Sequence, residues 1–153
     1  RRVVFGSSGA TVRGYEDDEG IKAMTEARWP DVTNPRPAID HTVPVRPRGL
    51  YGAAKAFGEA LGRSYSEEHG LSVICIRIGR VVKEDRPDTA WHASCYLSHR
   101  DIVQMVEKCV DAPESVRFDI VYAVSDNRGW YRDIDHAREV VGYVPLDGIR
   151  DWP

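Results

Sequence analysis

Three apolar runs alternate along the chain with segments that repeat at helical spacing. The runs are Val3-Val4-Phe5, Leu71 to Ile78, and Phe118 to Val124. They are apolar at consecutive rather than alternate positions, as expected of strands buried on both faces of a sheet. Strands that alternate with helices in this way predict an α/β fold, in which a parallel sheet carries helices on its faces.

The helical segments are marked by apolar spacing and by residues suited to their ends. The first is amphipathic and has apolar residues at intervals of three or four: Leu50, Ala54, Phe57, Leu61 and Tyr65. Gly70 is placed to end this helix. Ser98 and Asp101 form a capping-box pattern that opens a second helix, which Pro113 limits. A last helix is predicted for residues 131–141.

Most of the prolines lie between residues 15 and 49, where only Glu19 to Trp29 is compatible with a helix. The rest of this segment is predicted to be loop. Because it leads from the first strand to the first long helix, we expect a lid or rim at the substrate site rather than part of the sheet. The prediction is therefore one partial domain, residues 1–153, with a Pro-rich insert at 15–49.

The glycine-rich loop after the first strand, Gly6 to Gly14, is not expected to bind the phosphates of a dinucleotide. Such a turn needs closely spaced glycines and a helix that starts at once. Here an acidic stretch, Glu16 to Glu19, follows instead.

Composition narrows the classes of function. The 153 residues, 42% of them hydrophobic, suffice for one domain with a real core. A net charge of -3 with interspersed signs gives no basic patch for nucleic acid, and no apolar run approaches membrane-spanning length. The three cysteines lack C-x-x-C spacing and the five histidines are scattered, so neither a disulfide framework nor a metal site is expected. We expect a soluble, cytoplasmic protein.

The candidate chemistry centres on Tyr51 and Lys55, near the start of the first long helix. A spacing of four places both side chains on one helix face, where an ammonium favours the ionised phenolate and makes the tyrosine a usable base. Ser8, at the end of the first strand, can hold the substrate oxygen that loses or gains the proton. The alternative is an ordinary helix start, with Tyr51 packed and Lys55 solvated.

Polar and aromatic residues after the later strands give weaker signals. Arg80 and Arg86 could hold an anionic substrate group or lie solvated on the surface. Residues 125–127 stand where open α/β sheets place ligand contacts, although an ordinary polar turn is the preferred interpretation. Trp91 and His92 could form a lid, but packing is preferred.

A family resemblance is carried by four segments: RVVFGSSGATV, LYGAAKAFGEALGRSYSEEHGLSVICIRIG, YLSHRDIVQMVE and FDIVYAVSDN. They resemble the later half of an extended short-chain dehydrogenase/reductase of the NAD-dependent epimerase/dehydratase family, and are most similar to its uronate-dehydrogenase-like members. The fold that this resemblance implies is an incomplete Rossmann-like parallel sheet flanked by helices. It lacks the N-terminal glycine-rich unit that binds the adenine half of the cofactor.

The same resemblance implies roles for individual residues. Tyr51 would be the catalytic base, and Lys55 would bind the nicotinamide ribose and support Tyr51. Ser8 would hydrogen-bond the reacting oxygen of the substrate. Ile78 and Gly79 would line the nicotinamide pocket. The serine is followed by Gly9 and Ala10, where uronate dehydrogenases have Asn and His, so specificity for a carboxylate sugar is open.

The implied function is that of an oxidoreductase that transfers hydride between NAD and a hydroxyl or carbonyl of a sugar-like substrate, with NADP not excluded and Arg80 as a substrate-binding candidate. Without the N-terminal unit, the chain alone is expected to be inactive. Two alternatives are a sugar-nucleotide epimerase of the same family and a non-catalytic ligand-sensing or partner-binding module. A homodimer through the Tyr51–Lys55 helix is a further expectation.

Overall fold

The computed structural model describes residues 1–152, which form three strands and five α-helices. In chain order they are β1 (Arg2–Ser8), α1 (Glu19–Thr25), α2 (Gly49–His69), β2 (Ser72–Ile78), α3 (Ala90–Cys95), α4 (His99–Val110), β3 (Phe118–Ala123) and α5 (Asp135–Val141). Two 3-10 helical segments, Gly9–Asp17 and Trp29–Asp31, flank α1.

The three strands form one parallel sheet in the order β1-β2-β3. All three predicted strands are confirmed, and so is the parallel α/β class. β1 is longer than its apolar run because it pairs with β2 over its whole length, from Arg2 opposite Ser72 to Ser8 opposite Ile78. This extension carries Ser7 and Ser8 into the strand and makes Ser8 its last residue.

Helices and loops cover both faces of the sheet. On one face, Ile74 and Val121 pack with Met105 of α4 and with residues of α5. On the other face, Tyr122 packs with Met24 of α1 and with neighbouring residues. The opposite directions of Val121 and Tyr122 follow from the two-residue period of a strand. The sheet is therefore the middle layer, and its ends remain available for a site.

Helix α2 forms as predicted and ends at Gly70, whose φ of 67° is left-handed. Its orientation is a finding of the structure. The residues it buries are Gly52, Glu59 and Ser66, whereas its apolar stripe lies on the surface. The exposed members of the stripe are Leu50, Phe57, Leu61 and Tyr65. The spacing predicts the helix correctly, but the face packed on this sheet is the small and polar one.

Two helix ends show how local signals succeed and fail. Ser98 caps α4 as predicted, since its hydroxyl accepts a hydrogen bond from the Asp101 N–H at 3.0 Å. The last helix begins at Asp135, not at residue 131 as predicted. The reason is that Tyr131 and Asp133 bond through their backbones to Ile39 of the insert, at 2.7 and 2.8 Å, which holds this stretch in a bridge.

The insert at residues 15–49 contributes no strand to the sheet, as predicted, and its sheet-like contact is the isolated bridge at Ile39. A 3-10 segment, not an α-helix, follows β1 directly and begins at Gly9. Ser8 starts it by accepting a hydrogen bond from the Ala10 N–H. Within the described chain, no helix is long and apolar enough to cross a membrane.

Candidate active site

A cavity of about 470 Å³ opens at the C-terminal ends of β1 and β2. Ser8 and Ile78, the last residues of these two strands, line it together with Gly79, Arg80 and Tyr51. Its size falls within the range of small-molecule sites, roughly 300–1,000 Å³. The structure thus brings five of the six predicted site residues to one cavity.

Two polar contacts fix α2 against β1 and thereby place Tyr51. Lys55 Nζ donates to the Gly6 carbonyl at 2.7 Å, and one turn later Glu59 Oε1 accepts from the Ser7 hydroxyl at 2.6 Å. The start of α2 therefore lies beyond the end of β1, where Tyr51 meets the cavity. Gly52 allows this approach, because a Cβ there would stand 2.5 Å from the Ala10 carbonyl oxygen.

Lys55, the sixth predicted residue, stands behind Tyr51 and does not line the cavity. Its ammonium lies 5.7 Å from the centre of the Tyr51 ring and 5.3 Å from that of Phe5. The Tyr51 side chain is 62% exposed, so the pair is open to a ligand entering from solvent.

Ser8 has hydrogen-bonding capacity left for a ligand. Its hydroxyl oxygen accepts from the Ala10 N–H at 3.1 Å, and its carbonyl accepts from the Thr11 hydroxyl at 2.9 Å. A hydroxyl has one donor and two acceptor positions, so its proton can be donated to a substrate oxygen while the backbone holds it in place.

A buried ion pair supports this arrangement and was not predicted from the sequence. Arg77 Nε and Nη2 donate to the two carboxylate oxygens of Glu59 at 2.9 and 2.8 Å, and both side chains are buried. Arg77 Nη1 also donates to the Tyr122 hydroxyl at 2.9 Å. The sequence contains one indication of this pair. Arg77 is a charged residue inside an apolar strand, and a buried charge requires a partner.

A second cluster of charged side chains, also not predicted from the sequence, lies at the cavity wall. Arg132 lines it with only 3% of its surface exposed, and its Nη2 stands 3.7 Å from Glu16 Oε1. Tyr131 donates to the same oxygen at 2.6 Å. Burial raises the pKa of Tyr131 well above its usual value, so its hydroxyl stays protonated and keeps donating. Arg13 pairs with the other Glu16 oxygen at 3.2 Å.

The other candidates divide between cavity and scaffold. Arg80 lines the cavity, whereas Arg86 lines a neighbouring one. Trp91 was predicted to pack rather than to form a lid. Its ring packs against the Arg13 guanidinium, which lies 4.3 Å from the ring centroid, but Trp91 also lines the cavity. Ser125 and Asn127 are fully buried, where they bond to scaffold groups as the polar-turn interpretation predicts.

The cysteines are structural residues. Cys75, Cys95 and Cys109 are free and buried, and burial raises the pKa of Cys75 and of Cys109 to about 12. Thiols so far from ionisation are poor nucleophiles and poor metal ligands. Within residues 1–152, no group of three or more His, Cys, Asp or Glu side chains is arranged to hold a metal ion.

The structure is therefore a parallel α/β sheet that brings a serine and a tyrosine to one cavity at the C-terminal ends of its strands, with a lysine beside the tyrosine. The chain belongs to the NAD dependent epimerase/dehydratase family, whose model matches residues 3–96. The family assignment from the sequence is thereby confirmed.

Several proteins are similar to this chain over nearly its whole length. The chain is 38% identical over 154 aligned residues to an NAD-dependent glucose-6-phosphate dehydrogenase of Haloferax volcanii, covering 99% of the chain and 55% of that protein. It is 33% identical to a uronate dehydrogenase of Pseudomonas putida, covering 96% of the chain and 47% of that protein. The crystal structure of a uronate dehydrogenase from Agrobacterium tumefaciens superposes with a TM-score of 0.75 and 30% identity, covering 96% of the chain and 47% of that structure. The chain spans about half the length of the relatives it matches.

Part of the cavity wall is apolar. Ile78, Gly79 and Val81 give it an apolar wall beside Tyr51 and Ser8, which suits a flat nicotinamide ring. Gly79 is closely packed from behind, since a Cβ there would stand 2.5 Å from the Cys95 carbonyl oxygen.

Proposed function

We propose that the protein carrying this chain is an NAD-dependent dehydrogenase that oxidises a hydroxyl group of a sugar. The observation that carries the proposal is that Ser8 and Tyr51 share one cavity with Ile78 and Gly79, while Lys55 stands behind Tyr51. The relatives named glucose-6-phosphate dehydrogenase and uronate dehydrogenase support a sugar as the substrate.

Each residue has a role in this proposal. Ser8 holds the substrate hydroxyl because its own hydroxyl donates a hydrogen bond to the substrate oxygen. Tyr51, as phenolate, accepts the hydroxyl proton, and Lys55 stabilises the negative charge on Tyr51 before the transfer. Ile78 and Gly79 would hold the nicotinamide ring through the apolar part of the cavity wall. When bound, NAD supplies the acceptor for the hydride that leaves the carbinol carbon, so that the hydroxyl becomes a carbonyl.

The test is turnover by the longest gene product that carries this chain, measured with NAD and a panel of sugars, sugar phosphates and uronates. Tyr51→Phe keeps the ring but removes the proton acceptor, so kcat should fall by roughly 10²–10⁴-fold with NAD affinity nearly unchanged. Tyr65→Phe is the matched control, because Tyr65 is on the same helix, is exposed and does not line the cavity. Full turnover by Tyr51→Phe would contradict the proposal.

We propose a cytoplasmic location for this enzyme, because its three cysteines are free and buried rather than paired. We also propose that two copies associate through α2. The apolar stripe that α2 leaves on the surface, Leu50, Phe57, Leu61 and Tyr65, supports that association.

A further inference from the structure

The cavity that holds Ser8 and Tyr51 has a strongly basic lining. Three arginines line it, Arg13, Arg80 and Arg132, and no aspartate or glutamate among the described residues does. They come from the 3-10 segment, from the end of β2 and from the bridge before α5, so three distant parts of the chain converge here. A carboxylate outside the lining, Glu16, pairs with Arg13 at 3.2 Å and with Arg132 at 3.7 Å. Three positive charges set against one negative charge leave an excess of two.

Arg132 is the least expected member of this group. It is 3% exposed, yet its buried Nε has no hydrogen-bond partner within the described structure. Buried donors are normally satisfied, and charged ones most strictly. Because Arg132 also lines the cavity, an anionic ligand there would give this guanidinium the acceptor that the described residues do not supply.

Gly9 makes room for this guanidinium beside Ser8. A Cβ on Gly9 would stand 2.8 Å from Arg132 Nη2 and 2.9 Å from its Cζ, so any larger side chain at position 9 would displace Arg132. Glycine and arginine thus form a complementary pair next to the serine that the proposed function assigns to the reacting oxygen.

We propose that Arg132, with Arg80 and Arg13, binds the phosphate group of a phosphorylated sugar substrate; this inference rests on the proposed function. A phosphate monoester carries a charge of about -1.5 to -2 at pH 7, which matches the excess of two charges, whereas a carboxylate carries only one. Guanidinium groups suit its oxygens because their planar N–H forks donate in pairs. In this proposal the phosphate binds at Arg132 and the reacting hydroxyl at Ser8 and Tyr51.

The first test measures binding without NAD, so that it does not depend on turnover. The Nε–Hε signals of ¹⁵N-arginine in the longest gene product that carries this chain are followed by NMR during titration with glucose 6-phosphate, glucose, glucuronate and inorganic phosphate. Glucose 6-phosphate should move the Arg132 signal, which Arg132→Lys identifies by its loss, and should bind about tenfold or more tightly than glucose or glucuronate. An unmoved Arg132 signal at saturation, or equal affinity for glucose or glucuronate, would overturn the proposal.

Single substitutions test whether the cavity arginines themselves bind the phosphate or whether any loss of positive charge weakens binding. Arg132→Met and Arg80→Met should each weaken glucose 6-phosphate binding by about tenfold or more. Arg138→Met, an exposed arginine on α5 outside the cavity, should leave it unchanged. If Arg132→Met does not fold, Arg80→Met and Gly9→Ala decide, since the latter forces the guanidinium from its place. Wild-type affinity in both of these folded variants would contradict the assignment.

A final arm distinguishes the substrate's phosphate from a phosphate of the cofactor. Adenosine 2′,5′-bisphosphate should leave the Arg132 signal unmoved. If it moves that signal and glucose 6-phosphate does not, the arginines serve the cofactor and the proposal is wrong. Turnover of an uncharged sugar that depends on Tyr51, without any binding of sugar phosphate, would refute this inference while leaving the proposed dehydrogenase intact.

Discussion

At the scale of single residues, two adjacent serines have opposite environments. Ser7 is buried and donates to Glu59, whereas Ser8 lines the cavity and caps the following turn. Alternation along a strand produces this difference, because successive side chains point to opposite faces. The sequence shows the pair of serines but not that β1 continues through both of them, since the apolar run ends at Phe5.

Replacing the two serines should therefore have different effects on turnover and on stability. On the proposed function, Ser8→Ala should reduce kcat of the longest gene product because the substrate oxygen loses its donor, with a stability loss of about 0.5–2 kcal/mol from the lost cap. Ser7→Ala should retain most of the turnover but lose about 1–3 kcal/mol, because Glu59 loses a buried partner. Turnover and urea unfolding of both variants provide the check. A larger loss of kcat in Ser7→Ala than in Ser8→Ala would reverse the assignment.

Whether a site residue could be predicted depends on how far along the sequence it is from the residues that it contacts. Tyr51 and Lys55 were found because their relation is local, four positions on one helix. The contact of Arg132 with Glu16 joins opposite ends of the chain, and Gly9 meets Arg132 only through the folded structure. No periodicity or spacing records such contacts, so the basic wall of the cavity could not be inferred from local patterns.

At the scale of elements, the strands and long helices were predictable because apolar runs and caps are local signals. The outward apolar face of α2 was not, since spacing defines a stripe but does not say which surface receives it. The inner face instead uses Glu59, whose carboxylate both holds Ser7 and pairs with Arg77. The Glu59–Arg77 pair is therefore the main polar connection between α2 and the centre of the sheet.

Breaking this pair should cost more than removing it completely. Arg77→Met or Glu59→Leu alone leaves one buried charge without a partner and should cost about 3–5 kcal/mol. The double variant Glu59→Leu with Arg77→Met leaves no such charge, so it should lose only about 1–3 kcal/mol, as expected from a Ser7 hydroxyl without its acceptor. Chemical unfolding of the four proteins in a double-mutant cycle measures the coupling. Additive losses would show that the pair does not act as a unit.

The buried thiols give a pH-dependent prediction. Burial raises the pKa of Cys75 and of Cys109 from 9.0 to about 12, so the folded state retains protons that the unfolded state releases. Their contribution to stability is complete below pH 9 and is lost as the pH rises toward 12. Thiol reagents at pH 8 should label the unfolded chain but not the native one. Cys75→Ala should flatten the loss of stability above pH 9, and rapid labelling of native protein would contradict the burial argument.

At the scale of the whole molecule, exposed apolar residues lie on α2 and at the edge of the sheet. β1 forms an edge of the described sheet and leaves Val3 42% exposed, while α2 exposes Leu50 by 90% and Phe57 by 68%. The relatives are about twice as long as this chain. The sequence could not predict these exposed surfaces, because periodicity identifies an apolar face without saying what covers it.

The α2 stripe should control association between copies of the protein. The helix has 21 residues and is therefore roughly 30 Å long, enough for two antiparallel copies to cover each other's stripe. Sedimentation of the longest gene product should show a dimer, which Phe57→Glu with Leu61→Glu should dissociate because each charge would be buried against an apolar partner. Val103→Glu, an exposed apolar position on α4, is the matched control and should leave the dimer intact. A dimer that survives the α2 substitutions would place the interface elsewhere, and a monomeric wild type would exclude the α2 dimer altogether.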